Sequence, residues 1–317
     1  MRDISPAGVA IEWMPYRLQP DESAPDELRR SAREQLDRAI EELSTGIHDD
    51  PVEAIHDARK ALKKARSLLR LGRGALDRDE RRRENAALRH AGRELSSARD
   101  AEVMLEAADD LTERFVGRVP QTTFDAIRHH LVDERDSARR RLLESGLTAQ
   151  VADELKAVRL RIDDWTMDRS GWKALEPGLK RSYARGRAGL EQARTEPTVE
   201  NLHDWRKRSK DLWYHLRLLK PIAPGIVGGA AKEADELSKL LGDDHDLAVL
   251  RQTLERGAED LKVDVGAVLE LIDHRRAQLQ DHAVALGQRL YAERPRAFVA
   301  RMHSYWKASR LQAVGSA

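Results

Sequence analysis

The stretch HDARKALKKARSLLRL, residues 56–71, combines a helical period with a single sign of charge. At about 100° per residue, Arg59, Lys60, Lys63, Arg66 and Arg70 all fall within about 80° of His56. Ile55, Leu62 and Leu69, with Ala58, Ala61, Ala65 and Leu68, take up the rest of the circumference. The segment is predicted to be a helix with an apolar body and a cationic arc. Asp57 lies off the arc and reads as a local structural acid. Charged helix faces are ordinarily solvated, but they then mix signs, because like charges three or four residues apart cost a few tenths of a kcal/mol each. The preceding helix is mixed in this way, with Arg29, Arg33 and Arg38 among Glu27, Glu34, Asp37 and Glu41. The 56–71 helix is not.

The pattern is written twice. IHDARKALKKARSLLRL aligns with LHDWRKRSKDLWYHLRL, so that His56 falls on His203, Asp57 on Asp204, Arg59 on Arg206 and Lys60 on Lys207. Lys63 falls on Lys210 and Arg70 on Arg217. Downstream, Asp100 falls on Asp246, and Arg99 on His245, where both could present a cation to one cavity. Self-repulsion maintained at matching positions implies an anion that offsets it. A stripe of about 20 Å per helix suits an extended polyanion better than a small metabolite. Arginine offers paired donors to phosphate oxygens, and lysine a mobile point charge. Trp205, Trp213 and Tyr214 have no aromatic counterparts in the first copy, where Ala58, Arg66 and Ser67 stand. Base stacking is therefore not part of the shared pattern, and a phosphate chain without bases is favoured over nucleic acid. The histidines are expected to gain charge as pH falls through about 6.5.

The rest of the chain fits a helical protein. Of 317 residues, 35% are charged and 4% aromatic, and the net charge is +1, so an anion site must come from local segregation of charge. There are no cysteines, which excludes disulfides and thiolate chemistry and fits a cytoplasmic protein. No apolar run approaches the ~20 residues that span a bilayer, and the start has no signal-peptide core, so no membrane association is expected. Residues 1–25 read as an extension. Helices are predicted over about 26–43, 51–71, 81–112 and 122–144, with Asp50 as an N-cap, Pro51 at the first helical position and Gly46 ending the first. Residues 147–170 read as a connector with a short helix. Further helices are predicted over about 172–193, interrupted at Pro177-Gly178, then 198–220, 230–255 and 265–294, with a last short helix from Pro295. The expected fold class is all-α: two four-helix bundles, 26–146 and 171–317, related by an internal pseudo-twofold, with a basic central cavity.

Catalytic signals are few. The His-Asp pairs and GDDHD (242–246) admit a metal-dependent phosphohydrolase, but such sites need several ligands converging on one ion. Asp243 and Asp244 are not repeated in the first half, where a turn-forming or helix-pairing role is the simpler reading. No phosphate-cradling loop, nucleophile elbow or HExxH is present. An RNA- or acidic-protein-binding module is the other alternative.

The two H-D-x-R-K-x-x-K helices, with RLQPDESAPDELRRSAREQLDRAI before the first, SYARGRAGLEQA before the second and LGDDHDLAVL after it, resemble the CHAD domain, the conserved histidine α-helical domain. The resemblance covers about residues 16–310. It implies two four-helix bundles around a pseudo-twofold, a basic central cavity, binding of inorganic polyphosphate, no enzymatic activity and no cofactor. It also implies association with polyphosphate granules and with proteins of polyphosphate metabolism. On the matching positions the binding residues would be His56, Arg59, Lys60, Lys63, His203, Arg206, Lys207 and Lys210. Arg66, Arg70 and Arg217 extend the stripe by helical phase. Arg29, Arg33, Tyr183, Arg185 and Arg187 stand on the flanking helices. The ExExK signature of the CYTH-type enzymes to which such domains are often fused is absent.

Overall fold

The first of the repeated helices begins where its capping residues require. In the computed structural model, which describes residues 16–19, 22–261 and 263–315, Asp50 is extended (φ −139°, ψ 95°). Its Oδ1 accepts the amides of Val52 at 3.0 Å and Glu53 at 3.2 Å, and Pro51 opens the helix. Thr198 caps the second repeated helix in the same manner, through the Asn201 amide at 3.2 Å.

The protein is all-α. In chain order the helices are α1 (Ala24–Glu41), α2 (Ile47–Asp49), α3 (Pro51–Leu71), α4 (Arg78–Glu94), α5 (Ser96–Arg114), α6 (Gln121–Glu144), α7 (Leu147–Arg161), α8 (Gly171–Thr195), α9 (Val199–Leu219), α10 (Pro224–Leu261), α11 (Gly266–Leu290) and α12 (Pro295–Gly315). The described residues hold one isolated antiparallel bridge, Leu76 with Met167, and no strand.

Several boundaries differ from the sequence reading, each for a local reason. Gly46 does not end the first helix. Glu42–Gly46 forms a π turn that leads into α2, with Leu43 buried within it and Ile47 buried just after it, and the chain leaves helical geometry only at Asp50. The helix expected over 81–112 is two, α4 and α5, broken at Leu95 (φ −84°, ψ 8°). Leu95 is fully buried there, and the Ser96 hydroxyl takes the Arg93 carbonyl at 2.7 Å. The segment after Gly146, whose φ of +68° suits a glycine, is the full helix α7. Val151, Leu155 and Val158 bury against α1 and α4. Pro177 does not interrupt α8; it packs on Gly74, where a Cβ would meet the proline ring. α12 is 21 residues long, not a short terminal helix. Of the expected N-terminal extension, residues 1–15 lie outside the described residues. Tyr16 and Leu18 are buried, and the Leu18 amide donates to the Leu218 carbonyl at 2.9 Å, so this stretch is fastened to the end of α9.

Two apolar cores result, and neither is built by one half of the chain alone. The larger joins α1, α3, α4 and α7 to α8, α9, α12 and the start of α10. The smaller joins α5 and α6 to the later turns of α10 and to α11, with Leu105, Phe124, Ile127, Leu250, Leu254 and Ile272 at its centre. At 38 residues, α10 is about 57 Å long and reaches from one core to the other. α3 and α9 pack on each other in the larger core, which sets the two cationic faces against a common space.

Candidate functional site

α3 turns its predicted apolar side inward: Ile55, Ala58, Ala61, Leu62, Ala65, Leu68 and Leu69 are all buried. The cations on its other side fare unequally, because neighbouring helices supply partners that the α3 sequence does not contain. Arg59 donates to the Gly92 carbonyl at 2.8 Å and lies 3.7 Å from Asp100. Lys60 pairs with Asp57 at 3.1 Å, and Asp57 is also bound by Arg38, which makes it the structural acid expected. Arg66 donates to Asn85 at 3.3 Å, and Arg70 pairs with Asp211 of α9 at 2.8 Å. Lys63 has no ion-pair partner among the described residues. Its ammonium is pushed down to about 7 by the protein packed around it and by Arg59, Arg206, Lys210 and Arg99. Lys63 is also exposed, and the water that reaches it trims that displacement without changing its sign.

α9 presents cations toward the same residues. Arg206 has no ion pair among the described residues and lies against α10, where a Cβ on Gly242 would come within 3.3 Å of its Nη2. Lys210 sits 4.0 Å over the Trp213 ring, and burial pushes its ammonium down to about 8, with Arg206, Lys239 and Lys60 adding to the shift and Asp235 opposing it. Lys207 is held at 3.0 Å by Asp204. Sequence-equivalent residues meet in equivalent pairs. Arg99 acts on His56, and its counterpart His245 stacks on His203 with ring centroids 4.1 Å apart. Arg59 pairs with Asp100, and Arg206 is the first charge acting on Asp246, whose carboxyl burial raises to about 6.

Lys63, Arg206 and Lys210 thus form an unpaired cationic centre contributed by both repeated helices, rimmed by His56, Lys60, His203 and Lys207. A family model described as CHAD domain matches residues 19–255. The chain belongs to the CHAD domain family. Among solved structures, PptA from Streptomyces chartreusis is similar, with a TM-score of 0.60 at 15% identity over 86% of this chain and 98% of that one, a likeness of fold. No curated protein matches the sequence significantly.

The remaining residues singled out in this CHAD domain lie elsewhere or are occupied. Arg99 is tied bidentately to Glu106 at 2.9 and 3.1 Å, so much of its charge is already answered. Arg217 is exposed at the far end of α9, 5.9 Å from the Trp213 ring. Arg29 donates to the Trp165 carbonyl at 2.7 Å and Arg33 pairs with Asp163 at 2.6 Å, both fastening α1 to the turn after α7. Tyr183 is fully buried, stacked 4.0 Å from Phe298, with its hydroxyl donating toward the Leu290 and Glu293 carbonyls. Arg187 donates to Glu293 O at 2.9 Å. Arg185 lines a different cavity, with Arg70. Within GDDHD, Asp244 accepts Arg276 at 3.0 Å and Gln280 at 2.7 Å, so it pairs α10 with α11. The motif sits inside α10 and forms no turn. Among the described residues no three His, Asp or Glu side chains converge as metal ligands would.

Three residues near these cations carried no assignment in the sequence. Asp100 and Asp246 could have been found, since the repeat aligns them. Lys64 could not: it is buried beside the Tyr16 ring at 5.6 Å, and burial with Arg217 and Arg38 pushes it down to about 7.

The expected histidine titration near 6.5 is displaced. Burial, with Lys207 and Arg206, pushes His203 down to about 4, and burial with His203 and Arg206 pushes His245 down to about 3. Both are neutral at pH 7, and within the cationic centre Lys63 and Lys210 are the groups shifted toward neutrality, as Lys64 is beside it. A polyanion bound beside them would favour their charged forms and raise both values. Such binding would take up protons above pH ~7, and its affinity would fall as pH rises through the free values of about 7 and 8. Calorimetry at pH 8 in buffers of different ionisation enthalpy should show net proton uptake of order one per cleft, and release would contradict it.

Proposed function

We propose that this CHAD domain is a binding module for inorganic polyphosphate, held in the cleft between α3 and α9, and not an enzyme. The observation that carries the reading is the convergence of Lys63, Arg206 and Lys210 from two repeated helices with no ion-paired acid on any of them among the described residues. Mutual repulsion among these cations costs free energy, and a chain of phosphates offsets it along a line rather than at a point. Trp205 is fully buried and Trp213 lies under Lys210, so neither offers a free face for stacking bases. Binding localises the protein to polyphosphate granules and, through them, to the proteins of polyphosphate metabolism.

Titration with long-chain polyphosphate, orthophosphate and duplex DNA at equal phosphate concentration tests this. Tight binding is expected for the long chain alone. It should weaken steeply with salt, with a slope near −0.7 per phosphate contact for a flexible polyanion, by counterion release. It should also strengthen with chain length through multivalency. Equal affinity for the three ligands would sink the proposal.

A further inference from the structure

A second basic site lies at the other end of α3. It is a cavity of ≈ 230 Å³ between the end of α3, the start of α4, and α8 and α9. Six arginines line it: Arg70 and Arg73 at the α3 end, Arg81 from α4, Arg181 and Arg185 from α8, and Arg208 from α9. The sole acid on the wall is Asp211, and it is already engaged by Arg70 at 2.8 Å and Arg208 at 3.9 Å. Arg73, Arg81, Arg181 and Arg185 have no ion-pair partner among the described residues, and the Arg81 Nε is buried without a hydrogen-bond acceptor. The guanidiniums feel one another: Arg181, Arg81 and Arg185 lower Arg73, after burial, and Arg185 does the same to Arg208. Arginine is charged at any physiological pH, so the repulsion cannot be relieved by loss of a proton as it can at Lys63.

This cavity is not the cleft. Arg208 projects from the side of α9 opposite the face that carries Arg206 and Lys210, at about 160° or more around the helix from both. Four of its six arginines — Arg73, Arg81, Arg181 and Arg208 — belong to neither the repeated stripe nor its flanks as read from the sequence. The volume is below the usual range for drug-sized ligands, so the occupant is compact. The planar donor forks call for oxygens of high charge density.

We propose that the arginine cavity binds a compact oligophosphate group of two or three phosphoryl units, either a free short phosphate or the end of a longer chain. A terminal phosphoryl carries a second ionisation near pH 6 that an internal one lacks, so a chain end brings more charge per phosphorus than the run lying in the cleft. Lys63 and Arg70 are about 10 Å apart along α3, with Arg66 between them, so a chain seated in the cleft can end in the cavity. The chain-end form rests on the function proposed above; the free-phosphate form does not.

The test compares the double variant Arg73→Gln/Arg181→Gln with Lys63→Gln/Lys210→Gln, using tripolyphosphate, long-chain polyphosphate and the same long chain with its terminal phosphates amidated. Wild-type protein is expected to bind tripolyphosphate and to unfold at a higher temperature in its presence. The arginine variant should lose at least about tenfold in tripolyphosphate affinity, since each charge-assisted contact is worth more than ~1 kcal/mol, while the lysine variant keeps it. An arginine-variant defect on plain but not amidated long chains assigns the chain end. A defect on tripolyphosphate alone assigns the free ligand. Neither arginine has an ion-pair partner among the described residues to lose, so the unfolding midpoint without ligand should hold or rise. Unchanged tripolyphosphate affinity in the arginine variant, equal loss in both variants, or no binding by wild type overturns the site. Failure of wild type to bind long chains, with tripolyphosphate still bound, would instead remove the polyphosphate reading of the cleft and leave the cavity standing.

Discussion

Reversing both central lysines, Lys63→Glu with Lys210→Glu, is expected to lower affinity for long-chain polyphosphate by at least about 100-fold at low salt. Each charge-assisted contact to phosphate contributes about 1.5–3 kcal/mol, and reversal also places a repelling carboxylate on the path of the chain. The slope of log affinity against log salt should flatten by about 1.4, the loss of two contacts on a flexible polyanion. The fold should not suffer. The new carboxylates would stand beside Arg59, Arg206 and Arg99, which act on Lys63 as like charges in the wild type. Lys210 gives up its contacts with the Trp213 and Tyr214 rings and the attraction of Asp235, and is relieved of the repulsion of Arg206, Lys239 and Lys60. An unfolding midpoint at or above that of wild type, with binding gone, separates a lost ligand contact from a lost fold. Titration of the same variant with long chains is the measurement, and unchanged affinity would remove the cleft as the site.

The second large effect is on stability. Gly178→Ala places a methyl group 2.6 Å from the Arg70 carbonyl oxygen and closer still to that of Leu71. Both obstacles are backbone at the end of α3, so no rotamer change relieves the clash, and α8 must move off α3. Overpacking of this kind costs about 1–3 kcal/mol or more. For a chain of 317 residues, at about 2.1 cal/mol/K of unfolding entropy per residue, that is roughly 1.5 °C of unfolding midpoint per kcal/mol, or some 2–5 °C in all. Gly178 also lines the arginine cavity, so the displacement should carry Arg181 and Arg185 away from Arg70 and Arg208. Thermal unfolding with and without tripolyphosphate reads both consequences. A midpoint within about 1 °C of wild type would mean that α8 is not seated on the α3 terminus as described.

The same contact explains a difference between sequence and structure. Read locally, Pro177-Gly178 breaks a helix, since proline lacks the amide that would complete the ladder and glycine is a poor helix former. In the fold the pair instead lets α8 lie directly on the end of α3, with Pro177 against Gly74 and Gly178 against Leu71, and burial there outweighs the one missing hydrogen bond. Leu95 works in the opposite direction. Nothing in the local pattern of residues 81–112 marks a break, yet the chain turns there because the leucine is drawn fully into the larger core.

What the sequence by itself determined is what depends on neighbours along the chain: helices from periodicity, the start of α3 from the Asp50 cap and Pro51, the apolar and cationic sides of α3, and the doubling of that helix at 199–219. These are set by interactions over three or four residues, and a repeat is visible without coordinates. Which cations remain unanswered was decided only in three dimensions. Asp100 reaches Arg59 from 41 positions away, Asp211 reaches Arg70 from 141, and Asn85 reaches Arg66 from 19. A stripe of apparently equal charges is thereby reduced to Lys63 at its centre, facing Arg206 and Lys210. Coulomb energy depends on distance through space and on the water excluded along it, and packing sets both, so no helical wheel could have separated the paired cations from the free ones.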